Sequence, residues 1–424
     1  MNGWIFAELL VVSCFLWTVI DPIYVLVANY NIDSGYDAGN RYVVELRAYS
    51  ESDTGYNKAF ASDSLSKEAY WRIARIIRNQ PEVESYSIST TWSFPNSDSW
   101  SGAQLSPDTA SIGNDGSGYI HLQWYEFVQS EGSNMFGTYG MKDAHTGGEI
   151  VLPEDCSGRI FVSEYLARRL FGTTDVEGKK VYEDKKSSVE IAGVFRDFKH
   201  HDYEQPYPLA VYAKRDMEGS GYMNWHYNFI LKLKDGVSAD AFESRFRNEV
   251  APLLSIGNFY FEKLNTFSAL SQNYAAKSGR TNKLRLQYAL AGFAILCIFL
   301  GMVGTFWIRC DARRQEIGVM RSMGASRATI CRQFLVEAGM LVTFAFLLAV
   351  PLLLHYAYVH GVYVVAGSGS PVPNPDYLQN HFGGHFSIVL LLSYVLLLLI
   401  ALVGTFIPAQ RAARVLPADA LRDE

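Results

Sequence analysis

Residues 309–336 read RCDARRQEIGVMRSMGASRATICRQFLV, and they lie between two long apolar runs of this 424-residue chain. The stretch holds six arginines and no lysine, and its acidic residues are Asp311 and Glu316. Short loops rich in arginine and lysine stay on the cytoplasmic side of a membrane. The pattern therefore predicts a short cytoplasmic connector between two membrane helices, and it orients the rest of the chain.

The same stretch predicts a short helix, a break and a second helix. Ile317, Met320 and Gly324 follow one another at the i, i+3, i+7 spacing of one helical face. Glu316 lies on the flank of that face. Gly324 can end the first helix in the left-handed conformation, and Ser326 can cap the second. We therefore expect an amphipathic cytoplasmic helix that leads into a membrane helix.

These residues resemble the signature of FtsX-like permeases, the membrane subunits of MacB-type ABC transporters. The family pattern is roughly RxxEIGxxRxxGAxxxxI followed by FLxE, and it is matched at Arg313, Glu316, Ile317, Gly318, Arg321, Gly324, Ala325, Ile330, Phe334, Leu335 and Glu337. Two patterns in residues 160–172 and 190–200 also resemble the family. So does the end of the chain, at Pro408, Ala412, Pro417, Ala420, Leu421 and Arg422. A generic basic loop would account for the arginines, but not for the EIG and GAS sequences.

The composition indicates a chain that is part membrane protein and part folded soluble domain. Hydrophobic residues make up 49% of it, charged residues 19%, and its mean hydropathy is +0.02. A net charge of −6 argues against a nucleic-acid partner. The five cysteines are scattered without a C-x-x-C pattern, and only Cys156 is expected outside the membrane and the connector. They predict neither a disulfide framework nor a metal site.

Four apolar runs are long enough to cross a hydrocarbon core of about 30 Å. The predicted order is membrane helix 1–28, extracytoplasmic domain 29–283, membrane helix 286–308, cytoplasmic connector 309–333, membrane helix 334–359, extracytoplasmic loop 360–385, membrane helix 386–409 and cytoplasmic tail 410–424. Asp21 lies roughly 26 Å along the first helix from Trp4 by helical rise. We expect this acid at the outer membrane interface rather than in a buried position.

The predicted fold is an α-helical membrane protein with four transmembrane helices and a large α+β extracytoplasmic domain. Alternating and helical periodicities near both ends of that domain indicate two split β-α-β units, at 41–91 and 229–267. Between them lies an inserted subdomain at about 92–228. A polar segment at 268–285 can continue the second membrane helix outward as a stalk, although Gly279 weakens that prediction.

No catalytic, cofactor or metal site is expected from the sequence. Residues 172–179 read GTTDVEGK, one residue too long for a phosphate-binding P-loop, so they predict a turn. Neither Ser157 nor Ser163 lies in a nucleophile motif. Two sets of polar residues lack the spacing of metal ligands: His200, His201 and Asp202, and then His355, His360, His381 and His385. Gly383 and Gly384 argue against a helix around the last two histidines.

The resemblance implies a permease subunit of a MacB/FtsX-type ABC system in the bacterial inner membrane. Both termini would be cytoplasmic and the large domain periplasmic. A separate cytoplasmic ATPase would dock on the connector and drive export or mechanotransmission. The residues that the family match assigns to this coupling are Arg313, Glu316, Ile317, Gly318, Arg321, Gly324 and Ala325. Further implied partners are membrane lipid, a second permease in a homodimer or heterodimer, and optionally a periplasmic or outer-membrane protein.

Two other functions stay open at this level. A membrane-bound extracytoplasmic sensor or receptor would need more cytoplasmic chain than a short loop and a 15-residue tail. A membrane-anchored periplasmic hydrolase would need a catalytic constellation that the sequence does not offer. Co-purification of a soluble ATPase would separate the permease from both.

Overall fold

The computed structural model describes residues 2–113, 115, 117–130, 132–217, 227–360, 362 and 375–414. The chain forms two compact units. The first, here called the membrane unit, consists of Met1–Ala28, Gly279–Val365 and Val372–Glu424. The second, here called the sheet domain, consists of Asn29–Ser278 with Ala366–Pro371. The family match at Pro417, Ala420, Leu421 and Arg422 lies outside the described residues.

The α-helices of the described chain are α1 (Asn2–Tyr30), α2 (Asp63–Arg78), α3 (Met135–Tyr139), α4 (Glu164–Phe171), α5 (Ala239–Arg245), α6 (Phe267–Lys277), α7 (Arg280–Ala312), α8 (Arg314–Ser322), α9 (Arg327–His360) and α10 (Pro375–Ala412). The strands are β1 (Arg41–Ala48), β2 (Val83–Thr90), β3 (Gly102–Leu105), β4 (Ile120–Val128), β5 (Ile160–Ser163), β6 (Lys180–Tyr182), β7 (Ser188–Phe195), β8 (Leu209–Lys214), β9 (Tyr227–Leu233) and β10 (Phe259–Thr266). The predicted fold class, four long helices and a separate α/β domain, is confirmed.

Four helices of the membrane unit, α1, α7, α9 and α10, are long and apolar enough to cross a membrane. Small residues allow them to pack closely, as is usual where no water drives helices together. Ala338, Ala345 and Ala401 are fully buried in the core of this unit. A Cβ atom at Gly404 would lie 3.2 Å from Cβ of Met302, so α10 approaches α7 closely at this point.

Two expectations for the outer ends of these helices are wrong. The helix α10 begins at Pro375, so the predicted loop at 360–385 is shorter and His385 is helical despite Gly383 and Gly384. A glycine costs a helix only about 1 kcal/mol, which a long apolar helix outweighs. Asp21, which was not expected to be buried, is only 4% exposed, and its Oδ1 lies 2.5 Å from Nε2 of His385. The histidine supplies the polar partner that lets this acid be buried.

The predicted stalk at 268–285 is not one helix. The helix α6 ends at Lys277 and α7 begins at Arg280. Gly279 between them has φ +69°, a left-handed conformation that interrupts a right-handed helix. The junction therefore also separates the sheet domain from the membrane unit along the chain.

The sheet domain is built on one ten-stranded sheet in the order β10-β1-β9-β2-β4-β8-β5-β7-β6, with β3 paired to β4. The strands and helices of both predicted β-α-β units are present: β1, α2 and β2 in the first, and β9, α5 and β10 in the second. The side chain of Ser238 caps the N-terminus of α5. The inserted residues add β3–β8 to this same sheet rather than forming a separate one. Parallel pairing occurs between β4 and β8 and between β5 and β7.

Side chains alternate across the sheet, so each face builds its own core. Val44 of β1 and Phe229 of β9 pack with α2 and α5 on one face. Val43 and Ile230, their chain neighbours, face an aromatic cluster on the other side. This aromatic cluster is defined by Phe127, Phe136, Phe161, Phe195 and Phe198, all of them buried.

Replacing Phe136 by alanine should destabilise the sheet domain by about 3–5 kcal/mol, the range for deleting a buried aromatic side chain. The Phe136 ring lies 4.6 Å from the Phe161 ring, centroid to centroid. Cys156 is fully buried in the same core, and burial raises the pKa of its thiol to about 11. Alkylation of Cys156 therefore requires the sheet domain to open. In Phe136→Ala the rate of this alkylation should rise roughly 100-fold or more, since each loss of about 1.4 kcal/mol makes the open state ten times more populated.

The matched control is Leu253→Ala, because this leucine is 58% exposed. Alkylation would be measured in the full-length chain by mass spectrometry of the peptide that contains Cys156. Equal rates for Phe136→Ala and Leu253→Ala would show that the aromatic cluster does not stabilise the domain.

Candidate functional site

The connector, residues 309–333, folds as the sequence predicts. The helix α7 runs to Ala312, Arg313 forms the link, and α8 spans Arg314–Ser322. Residues 323–326 lie outside both helices, and the chain enters α9 at Arg327. The backbone N–H of Thr329 donates to Oγ of Ser326 at 3.1 Å, so this serine caps α9.

Gly324 ends α8 with a Schellman motif. Its φ is +91°, and its N–H donates to the carbonyl of Arg321 at 3.1 Å. The N–H of Ala325 donates to the carbonyl of Met320 at 3.0 Å. These two bonds satisfy carbonyl groups that a helix end leaves free, and they require a residue that tolerates positive φ. The role expected for Gly324 is confirmed in its local geometry.

One face of α8 is anchored in an apolar cluster within the membrane unit. Ile317 is 1% exposed, and Gly318 beside it is also buried. This anchor cluster consists of Cys310, Ile317, Ile330, Phe334, Ala409 and Ala413, with Met320 and Ala325 packed against it. The cluster joins residues of α7, α8, α9 and α10, so α8 is fixed against three membrane helices rather than hanging in a loose loop.

A network of arginines and glutamates fixes the same helix from its N-terminal side. Arg313 donates from Nε and Nη2 to the two carboxylate oxygens of Glu316, at 2.6 and 2.7 Å. Its Nη1 donates to Glu337 on α9 at 2.9 Å, and Arg309 on α7 donates to the other oxygen of Glu337. One carboxylate therefore receives two arginines, and one arginine joins two carboxylates.

This network has an electrostatic consequence at the surface. The hydrogen bonds from Arg313 lower the pKa of Glu316 below its usual value, and the same bonds raise the pKa of Arg313. The side chain of Glu316 is half exposed, whereas that of Arg309 is only 6% exposed. Paired charges at the buried end are worth more than at the exposed end, where water screens them.

The other face of α8 is exposed. Val319 is 47% exposed and Met323 is 82% exposed, four residues apart on the helix. Glu316, on the same side three residues earlier, is also exposed. Residues with this spacing form one continuous strip of helix surface. The strip is apolar with an acidic end, and it faces away from the anchor cluster.

Six of the seven predicted coupling residues therefore belong to this arrangement, and Arg321 stands apart. Its Nε is buried without a hydrogen-bond partner among the described residues. The network also contains two residues that the prediction did not assign to the site, Arg309 and Glu337. The sequence could have predicted that Glu337 has a basic partner, because it is an acid near the end of an apolar run, where an unpaired charge is costly.

The polar set at 200–202 serves packing in the sheet domain. His201 stacks with Tyr203 and with Tyr274, at centroid distances of 5.3 and 4.0 Å. Asp202 accepts hydrogen bonds from Tyr36 and, at 2.5 Å, from Ser271. In the part of the chain that the structure describes, no three His, Cys, Asp or Glu side chains are grouped to hold a metal ion. Residues 172–179 connect α4 to β6.

A family model described as the FtsX-like permease C-terminal matches residues 288–417. The chain is similar to the macrolide export ATP-binding/permease protein MacB of Campylobacter jejuni subsp. jejuni serotype O:23/36, with 26% identity over 195 residues that cover 46% of this chain and 28% of that protein. The MacB of Shewanella sp. strain W3-18-1 is 28% identical over 207 residues, which cover 49% of this chain and 28% of that protein. The matched part thus spans less than a third of the length of these relatives.

Solved structures with some similarity include the periplasmic region of MacB from Actinobacillus actinomycetemcomitans. Its identity is 13% and its TM-score 0.35, over 58% of this chain and 97% of that one. The extracellular domain of the noncanonic ABC-type transporter YknZ from Gram-positive bacteria has 14% identity and a TM-score of 0.32, over 52% of this chain and 100% of that one. These scores carry no conclusion about function.

Replacing Glu337 by glutamine should lower the stability of the connector by about 1–3 kcal/mol, because each carboxylate oxygen accepts from one arginine and one of these oxygens becomes an NH2 donor that cannot accept. Glu316→Gln is the matched control. It makes the same chemical change at a half-exposed pair, which is worth less than about 1 kcal/mol. Thermal unfolding of the full-length chain and the rate of trypsin cleavage within residues 309–332 would be compared. Equal losses in the two variants would contradict a special role for Glu337.

Proposed function

Because this chain belongs to the MacB/FtsX-like family of ABC transporter permeases, we propose that it transmits movement from a separate ATPase to its own sheet domain. ATP hydrolysis would occur in the partner, and this chain would be non-catalytic. The observation that carries the proposal is the two-sided character of α8. One face is fixed in the anchor cluster, and the other exposes Val319 and Met323 on the surface of the chain.

The exposed strip of α8 has the properties of a docking surface. Met323, at the end of α8, is 82% exposed and so buries little apolar surface within this chain, and a partner that covers it would bury that surface. Interfaces place apolar anchors at the centre and charged groups at the rim. Met323 and Val319 would be the anchors, and Glu316 would be the rim charge. Methionine also adapts to the shape of a partner groove, since its side chain is unbranched and flexible.

The fixed face of α8 makes the proposed movement transmissible. A load on α8 reaches α9 through Glu337 and α7 through Arg309, because both helices share that carboxylate with Arg313. Along the chain, two residues separate α7 from α6, whose Phe267 and Leu270 are buried with the aromatic cluster. The covalent route from the docking strip to the sheet domain therefore consists of two helices and one short junction.

The remaining features follow from the same proposal. The connector and both termini would be cytoplasmic and the sheet domain periplasmic, in the bacterial inner membrane. Two permease subunits, identical or different, would form the working unit, as one ATPase dimer offers two docking sites. Export and mechanotransmission share the movement of the sheet domain, and the proposal concerns that step. Of the coupling residues, Gly318 would let α8 pack closely, Ala325 would hold the end of α8 through its bond to Met320, and Arg321 would add positive charge to the connector.

Met323→Glu should weaken binding of the ATPase by roughly 30-fold or more, the effect of losing an interface anchor worth about 2 kcal/mol. The fold should be unaffected, because this side chain is 82% exposed. The measurement is the amount of ABC ATPase that co-purifies with the tagged full-length chain. Val151→Glu in the sheet domain, at a valine that is 88% exposed, is the matched control. Unchanged ATPase recovery with Met323→Glu would remove the docking strip from the mechanism.

The sidedness can be tested with single cysteines at the same two exposed positions. Native Cys156 is unsuitable because it is fully buried, so labelling at this thiol would not report which side of the membrane it lies on. In a cysteine-free background, a membrane-impermeant maleimide should label Val151→Cys in intact spheroplasts and should label Met323→Cys only after lysis. Labelling of Met323→Cys from outside would reverse the proposed orientation.

A further inference from the structure

A long groove runs between α9 and α10 in the membrane unit, with a volume of about 1060 Å³. Leu335, Gly339 and Thr343 line it on α9 at intervals of four residues, and Leu398, Leu402 and Phe406 do so on α10. Side chains four apart lie on one helical face. The groove is therefore a continuous, mostly apolar surface groove along the two helices.

One end of this groove is basic. Arg327 and Arg332 line it from the start of α9, and Arg414 lines it just after α10. None of these three arginines forms an ion pair with another residue in the described parts of the chain, in contrast to Arg309 and Arg313 nearby. Among residues 2–414, as far as the structure describes them, no acidic side chain lines the groove. All three side chains are exposed, so the mouth of the apolar groove carries positive charge that would favour an anionic head group.

The opposite end is closed by polar and aromatic side chains. Oγ1 of Thr343 lies 2.9 Å from the hydroxyl of Tyr394, a hydrogen bond that joins the two helices. The Tyr394 ring packs on Phe346 at a centroid distance of 5.2 Å. From Leu335 to Phe344 the apolar part is about 14 Å long by helical rise. One leaflet of a hydrocarbon core of ~30 Å is ~15 Å thick, so the apolar part matches a single leaflet.

We propose that this groove is a binding site for one anionic phospholipid of the bilayer. Arg327, Arg332 and Arg414 hold the phosphate, and one acyl chain lies along the apolar walls. Gly339 leaves room for that chain, since a Cβ atom there would meet only Cδ1 of Leu398, at 3.8 Å. The charge at one end and the length of the apolar part together select a lipid with an anionic head group over a neutral one. This inference does not depend on an ATPase partner.

The test uses the full-length protein in nanodiscs that contain equal amounts of phosphatidylglycerol and phosphatidylcholine, with bound lipids counted by native mass spectrometry. The unmodified protein should retain phosphatidylglycerol preferentially. Each arginine replaced by glutamine should reduce that preference roughly fivefold, which corresponds to the usual contribution of one basic residue near a charged membrane surface. The triple variant R327Q/R332Q/R414Q should therefore show almost no preference. The control is Arg285→Gln, which removes an exposed arginine near the N-terminus of α7, away from the groove. This variant should keep the preference for phosphatidylglycerol.

A second variant fills the groove instead of removing its charge. Gly339→Leu should displace the lipid while the arginines remain, and Gly304→Leu is its control because Gly304 is exposed on α7 with open space around it. Retention of the phosphatidylglycerol preference in the triple arginine variant would overturn the proposal. So would a Gly339→Leu protein that keeps its lipid but changes its oligomeric mass, because the groove would then hold a helix of a second copy.

Discussion

A single carboxylate, that of Glu337, receives two arginines at the place where α7, α8 and α9 meet. Its position near the end of a long apolar helix makes the pairing obligatory, because an unpaired charge there costs several kcal/mol, about 3 on insertion scales. The arginines are held in turn. Arg309 is nearly buried, and Arg313 lies over the Phe334 ring at 5.3 Å. The direction in which α8 leaves the end of α7 thus follows from the need to satisfy one acid.

The anchor cluster works with this network rather than duplicating it. Apolar burial of Ile317 fixes which face of α8 turns inward, but burial alone is non-directional and would tolerate sliding along the helix axis. The bond from Nη1 of Arg313 to Glu337 on α9 has a fixed direction and opposes such sliding, while the paired bonds to Glu316 hold the Arg313 guanidinium in place. The left-handed end at Gly324 then sets where α8 stops. Burial thus determines which face of α8 turns inward, charge pairing its position along the axis, and backbone conformation where it ends.

Local patterns in the sequence predicted the elements whose causes are local. Alternation predicted β1, β2, β9 and β10, and one glycine predicted the end of α8, because periodicity and positive φ are properties of neighbouring residues. The burial of Asp21 was not predictable in this way, since its partner His385 lies 364 positions away. The same holds for the joining of the inserted strands into one sheet. The family match marked Glu337 but gave no means of seeing that it would receive both Arg309 and Arg313.

The strand order has a mechanical consequence for the sheet domain. The chain enters through β1 and leaves through β10, and these strands are antiparallel neighbours with Tyr42 opposite Thr266. If the start of β1 and the end of β10 were pulled apart, the hydrogen bonds between these strands would break one after another from that end. If both ends moved in the same direction, the sheet would rotate as a rigid body. From β10 to β6 the path crosses eight strand spacings, so the far edge lies up to roughly 38 Å away at about 4.8 Å per strand. A tilt of about 10° at the attached edge would sweep the far edge through roughly 7 Å at that strand spacing. A movement applied at the first and last strands would thus be amplified at the far edge of the sheet.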